Sequence, residues 1–305
     1  MRIWLDTDLG SDVDDALALG YALHHPEIEL VGISTVFGDV DLRTKCVEAL
    51  LDIEGEGSIP VLTGLGKPMT ERRAGVMFGH EGRGLLDDPR PEMKITSESE
   101  DLQNERLEKL GESLIRTSPD CLVAIGPLTN LGALLANGIR LPPLAIMGGK
   151  SQDAVIPGMN DRIAEWNLFS DPVAARTVFE SEKEEPALVA PAEVTFRTAL
   201  ETSDLDALTK GGPLCSMLRT LCDEWLRFLG EDFGTPEPRV ALHDPLTLAL
   251  LMEPSLSPLE SRRVEVDDKG NLISVEGNAN IKIATDVDLP ALRSHLVETW
   301  VQHGG

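Results

Sequence analysis

Short apolar runs and amphipathic stretches alternate along the chain from its first residues. Residues 3–5 are a compact apolar run, and residues 14–23 carry a helical pattern that stops before Pro26. A second apolar run covers 30–36 and ends at Phe37-Gly38-Asp39, followed by a helical pattern over 40–51 and a short run over 59–62. Further apolar runs at 121–125, 144–147 and 187–189 are each soon closed by Gly or Pro. Uninterrupted apolar strands separated by helices predict a parallel sheet, because helical crossovers cover both of its faces. The pattern changes near the end. Residues 263–266, a polar Asp267-Asp268-Lys269-Gly270 turn and residues 272–275 predict a hairpin, and residues 289–301 a last helix. The polar stretch 87–104 predicts a surface loop or flap, and no internal repeat is present. The expected fold is α/β: a single domain over residues 1–305, with a mostly parallel, open, Rossmann-like sheet, helices on both faces and a C-terminal β-hairpin.

Composition narrows the function. Apolar residues make up 42% of the 305, enough for a large core. Against 27 Lys and Arg stand 52 Asp and Glu, a net charge of −25. Such a chain repels a phosphate backbone or an acidic membrane surface, so no nucleic-acid or membrane partner is expected. No run approaches the ~18 apolar residues of a membrane span, and the first residues lack the charged-then-apolar order of a signal peptide. Cys46, Cys121, Cys215 and Cys222 form no CxxC pair, and Cys215 and Cys222 fall seven apart on one helix face. They are expected as buried small hydrophobes in a reducing cytoplasm.

In open α/β sheets ligands bind beyond the carboxyl ends of the strands. The first strand ends in Asp6-Thr7-Asp8-Leu9-Gly10-Ser11-Asp12-Val13-Asp14-Asp15, five carboxylates in ten residues. Helix capping accounts for one or two of them. Five would repel one another strongly if buried without a cation, so a hard divalent ion held by oxygens is the economical reading. An EF-hand loop begun at Asp6 fails, with Ser11 and Leu17 where Gly and Glu are required. A DxD phosphatase with Asp6 as nucleophile and Mg²⁺ as its ion is an alternative, but Gly10 departs from its pattern.

The segment DTDLGSDVDDALAL resembles the N-terminal signature of the inosine–uridine preferring nucleoside hydrolase family. Similar blocks recur in family order: Thr35-Val36-Phe37-Gly38-Asp39; Gly79-His80-Glu81-Gly82-Arg83-Gly84-Leu85; Ala124-Ile125-Gly126-Pro127-Leu128-Thr129-Asn130-Leu131; Asn160 with Ala164-Glu165-Trp166-Asn167 and Asp171-Pro172; and Leu242-His243-Asp244-Pro245. The resemblance implies Ca²⁺-dependent hydrolysis of the N-glycosidic bond of a ribonucleoside. The implied ligands are Asp8, Asp15, Asp244 and the Ile125 carbonyl oxygen, all hard donors. Asp14, Asn160, Glu165 and Asn167 would hold the ribose, Asp8 would take the proton of the attacking water, and His243 would protonate the leaving base. His80 and Trp166 would line the base pocket, with Trp225 or Arg227 reaching it from the 217–229 helix. Two departures stand out. The first signature is two residues longer than its common form, leaving Asp12, Asp14 and Asp15 open as second ligand; alignment from Ala16-Leu17-Ala18 backwards selects Asp15. Asp39, expected at the substrate, stands where many members have Asn. An aromatic content of 4% argues against stacking between two tryptophans. A homo-oligomer, dimer or tetramer, is implied. A Ca²⁺-dependent binding protein without turnover is the non-enzymatic alternative, against which the presence of both Asp8 and His243 speaks.

Overall fold

The computed structural model describes residues 1–70, 75–95, 98–156 and 165–302. Its strands are β1 (Arg2–Thr7), β2 (Glu29–Thr35), β3 (Val61–Thr63), β4 (Gly75–Val76), β5 (Lys94–Ile95), β6 (Cys121–Ala124), β7 (Leu144–Met147), β8 (Lys150–Ser151), β9 (Ala187–Ala190), β10 (Leu259–Arg262), β11 (Val264–Val266), β12 (Asn271–Ser274) and β13 (Ile281–Ala284). The helices are α1 (Asp14–His24), α2 (Val40–Glu54), α3 (Glu100–Thr117), α4 (Thr129–Ala136), α5 (Trp166–Ser170), α6 (Pro172–Glu180), α7 (Ala192–Thr195), α8 (Thr202–Leu208), α9 (Pro213–Arg227), α10 (His243–Met252) and α11 (Leu289–Gln302).

Eight strands form the main sheet in the order β10-β13-β9-β7-β6-β1-β2-β3. All neighbours are parallel except β10 and β13. The period of two along each strand sorts its side chains between two cores. Ile3 and Leu5 of β1, Val123 of β6 and Ala145 of β7 join a cluster with Leu17, Leu50, Leu218, Leu248 and Leu296, from α1, α2, α9, α10 and α11. Trp4, Leu122 and Ile146 point to the other face, against Leu114, Leu131 and Val178 of α3, α4 and α6. Trp4 fits only because Gly32 of the adjacent strand has no side chain; a Cβ there would lie 2.2 Å from the indole. The α/β architecture and mostly parallel sheet are therefore as the hydrophobic pattern predicts.

One expectation changes, and the sheet's edge lies where no sequence pattern set it. The hairpin is present, but β11 and β12 leave the main sheet and form a separate three-stranded one with β8. The main sheet ends instead in β13 and β10. The stretch 87–104 is only partly loop: β5 pairs with β4, and α3 begins at Glu100, its N-terminus capped by Ser99 Oγ accepting from Leu102 N at 3.2 Å.

From β1 the chain builds outward to β2 and β3, then returns to the other side of β1 to add β6, β7 and β9. The order thus reverses between β1 and β6, and the loops leaving their carboxyl ends diverge, opening a crevice. Asp6 pairs in register with Ala124, and Ile125 N donates to Asp6 O at 2.9 Å, so Asp8 and Ile125 flank that crevice.

Candidate functional site

A cleft of about 320 Å³ occupies the crevice. Asp8, Asp12, Asp14, Asp15, Glu165, Asn167, His243, Asp244 and the Ile125 backbone line its polar side, and aromatic side chains its mouth. Asp8, Asp14, Asp15 and Asp244 are all buried, and carboxylate oxygens of Asp12, Asp14 and Asp15 lie within 4.8 Å of one another. Asp15 accepts from Thr7 Oγ1, whereas Asp14 Oδ1 is buried with no hydrogen-bond partner. Burial pushes the Asp8 carboxyl up to about 7, with Arg43 opposing and Asp12 reinforcing. Burial also lifts Asp14, Asp15 and Asp244 well above the carboxylate range, and their mutual repulsion adds to it. Buried acids that disfavour their own ionisation, one with an orphaned oxygen, are what a cation site looks like without its ion. The donors are carboxylates and a carbonyl, hard oxygens suited to Ca²⁺ or Mg²⁺ and not to zinc.

The other wall is built by short elements. Glu165 caps α5, its carboxylate accepting from Asn167 N (2.6 Å), Leu168 N (2.9 Å) and Gly149 N (2.7 Å). Asn167 Nδ2 donates to Ile125 O at 2.9 Å and Met147 O at 3.2 Å, turning its Oδ1 end to other uses. Gly126 lets β6 approach the acids: a Cβ there would lie 2.8 Å from Asp8 Oδ1. His243 opens α10, with Nδ1 2.7 Å from Thr195 Oγ1 and Phe196 edge-on at 4.7 Å between ring centroids. Burial pushes its pKa down to about 4, against the pull of Asp12 and with the push of Arg239, so the resting ring is neutral.

Most of the expected residues meet here: Asp8, Asp14, Asp15, His80, Ile125, Glu165, Trp166, Asn167, His243 and Asp244 all line the cleft. Asp39 does not. It caps α2, Oδ1 accepting from Leu42 N at 3.0 Å because an Asp directly before a helix finds a free backbone donor there, while Oδ2 accepts from Glu92 N at 2.9 Å. Asn160 lies outside the described residues. Of the two helix candidates, Trp225 reaches the cleft, while Arg227 turns to Glu224 at 2.9 Å. Asp6, nucleophile of the phosphatase alternative, is fully buried, held by Ser34 Oγ and by Asn130 Nδ2 at 2.7 Å, and does not line the cleft. That reading is set aside.

The few aromatic residues are unevenly spread. Phe78, Trp166, Phe196, Trp225, Phe228 and Phe233 all line the cleft, so half of the twelve aromatic residues are concentrated in one place. His80 stacks on Phe228 with centroids 3.7 Å apart. A whole-chain percentage does not measure local density. Arg43 was also missed, although it falls on the 43, 46/47, 50 apolar stripe of α2, where a charge is out of place.

A family model described as inosine-uridine preferring nucleoside hydrolase matches residues 3–294. The non-specific ribonucleoside hydrolase RihC of Shigella boydii is 29% identical, covering 98% of this chain and 97% of its own length. The pyrimidine-specific ribonucleoside hydrolase RihA of Salmonella arizonae is 32% identical, with 88% and 85% covered. Among solved structures, a purine-preferring ribonucleoside hydrolase from Gardnerella vaginalis superimposes with a TM-score of 0.79 at 23% identity, over 98% of each chain.

Proposed function

The chain belongs to the inosine–uridine preferring nucleoside hydrolase family, and on that footing we propose that it hydrolyses ribonucleosides with the help of a bound Ca²⁺ and with Asp8 as general base. It is an N-glycosidase acting on ribonucleosides. The observation that carries the finer reading is the set of four buried acids at the crevice, with Asp14 Oδ1 left without a partner. Asp8, Asp15, Asp244 and the Ile125 carbonyl would hold the ion, with Asp12 and Asp14 at their side. When bound there, Ca²⁺ supplies Lewis acidity toward a water and an anchor for ribose hydroxyls.

The protein's own groups do the rest. Asp8 accepts a proton from the attacking water as its oxygen bonds to C1′ and the C1′–N bond breaks, with positive charge spread over the ring as in other glycosidases. Asp14, Glu165 and Asn167 face the ribose; Glu165 is held rigid by its three backbone donors. His243 stands on the leaving-base side. With Nδ1 held at Thr195 Oγ1, the tautomer protonated at Nε2 donates a hydrogen bond to the departing nitrogen; the base leaves as the anion so stabilised and takes from solvent the equivalent of the proton that Asp8 received. The aromatic mouth faces the base and keeps water from it.

The test is a panel of purine and pyrimidine nucleosides, with released ribose and free base as readouts, with and without chelator. Turnover should vanish on chelation and return with Ca²⁺, and Asp8→Asn should lose ~10²–10⁴-fold in kcat while still binding nucleoside. Binding without any release would favour the non-catalytic alternative, and chelator-insensitive turnover would remove the ion. We place the enzyme in the cytoplasm, since its four cysteines are buried and unpaired. Among the described residues no helix is long and apolar enough to cross a membrane. The single-domain reading and a dimeric or tetrameric assembly complete the proposal.

A further inference from the structure

The loop after β1 directs its carboxylates into the cleft while its backbone carbonyls point away and are held. Thr7 O accepts from Val36 N at 3.0 Å, Gly10 O from Gly82 N at 3.3 Å, and Ser11 O from His80 Nε2 at 2.5 Å. The carbonyls between, of Asp8 and Leu9, are both taken by one guanidinium, that of Arg43 on α2. Its Nη1 donates to Asp8 O and, at 3.2 Å, to Leu9 O; Nη2 donates to Ser11 Oγ at 3.2 Å; Nε donates to Phe37 O at 2.6 Å, tying in the loop after β2. The side chain is 1% exposed. Burying an arginine is costly unless its donors are satisfied, and here loop backbone satisfies most of them. The nearest carboxylate oxygen, Asp8 Oδ2, is 3.9 Å away, outside hydrogen-bonding reach.

We infer that Arg43 is a positioning residue: its fork clamps the carbonyls of Asp8 and Leu9 and the Ser11 hydroxyl, and so aims Asp8 and the acids that follow it. Its consequence for turnover rests on the cation-dependent hydrolase reading above; the clamp itself does not. The alternative role, simple neutralisation of crowded acids, makes an opposite forecast for the ion. A positive charge beside the site repels a cation, so removing a mere neutraliser tightens Ca²⁺ binding, whereas removing a clamp weakens it. Lysine separates the two again. It keeps the charge but, as a single ammonium, cannot span Phe37 O, the two loop carbonyls and Ser11 Oγ.

The experiment compares Arg43→Lys and Arg43→Met with wild type in three readouts. Amide exchange of residues 8–13 in chelated protein should accelerate about tenfold in both variants, with β2 and β6 unchanged. Ca²⁺ affinity, from titration of thermal stability, should fall about tenfold or more in both. The kcat for uridine and inosine should drop about 10²-fold, as expected for a misplaced base. Wild-type loop exchange in Arg43→Lys, or tighter Ca²⁺ binding in Arg43→Met beside wild-type behaviour in Arg43→Lys, would overturn the clamp. Should Arg43→Met fail to fold, Arg43→Lys decides; its own failure to fold would also count against a local role. If wild type ignores Ca²⁺, the cation reading falls while the exchange arm still judges Arg43.

Discussion

At the scale of single residues the division of labour within the cleft can be tested at His243. Thr195 occupies Nδ1, so Nε2 is the ring's contribution to the cleft. Replacing His243 with Ala should lower kcat for nucleosides by ~10²–10⁴-fold with little change in KM, because the leaving base needs its donor as the bond breaks. For p-nitrophenyl riboside, whose leaving group departs without protonation, the loss should shrink to a small fraction of that. Equal losses on both substrates with Ca²⁺ affinity intact would take the leaving-group role away from His243. The carboxylates from Asp6 to Asp15 stand out in the sequence because they follow an apolar strand, whereas Asp244, which opens α10, and Ile125, an apolar residue offering only its carbonyl, are singled out by the family resemblance alone. Asp39 follows a strand too, yet it also precedes a helix, and Leu42 N of α2 together with Glu92 N takes its carboxylate. Arg43 escaped notice for the converse reason: a charge on a helix is read as solvated, although its place on the stripe with Cys46, Val47 and Leu50 marked it as buried.

At the scale of elements the site depends on how closely the ends of β1 and β6 approach. Gly126 sits at that approach, where an added Cβ would lie 2.8 Å from both Asp8 Oδ1 and Val36 Cγ1 and 3.0 Å from Asp8 N. Gly126→Ala must therefore push Asp8 or the strand end aside. Overpacking of this kind costs about 1–3 kcal/mol, and the displaced base should lose about 10²-fold in kcat. Denaturant unfolding and steady-state kinetics check the two parts separately; a folded variant with wild-type kcat would mean that Asp8 needs no fixed position. The strands that frame this approach were readable, since β1, β2, β6 and β7 are buried on both faces and appear as unbroken apolar runs. The edge was not. β10 and β13 (Leu-Glu-Ser-Arg and Ile-Lys-Ile-Ala) mix polar and apolar residues, and nothing local says that they, and not the hairpin beside them, extend the main sheet.

At the scale of the whole molecule, burying acids for a cation makes stability depend on pH. The reversal of strand order that creates the cleft could be expected from alternating strands and helices, but which loops face each other across it depends on tertiary order. That order gathers Asp8, Asp14, Asp15 and Asp244 into one buried patch in a chain already carrying −25 charges. In the metal-free protein these acids and Asp6 hold protons at a pH where the unfolded chain has released them. Asp6 is lifted from 3.8 to about 7 by burial, against its bonds from Ser34 and Asn130, and Asp8 also reaches about 7. Because the folded state binds more protons between about pH 4 and 7, its stability falls as pH rises through that window. Asp6 alone carries about 4 kcal/mol of this. His243, pushed down to about 4, acts in the opposite direction below its ordinary 6.5, one group against several. A bound cation requires ionised carboxylates, so its stabilisation grows as protons leave. Chelated protein should therefore show a Tm that declines from pH 5 to pH 8, and added Ca²⁺ should raise Tm much more at pH 8 than at pH 5. A chelated Tm that climbs across this range, or a Ca²⁺ increment independent of pH, would mean that the buried acids are not the groups whose charge the ion offsets.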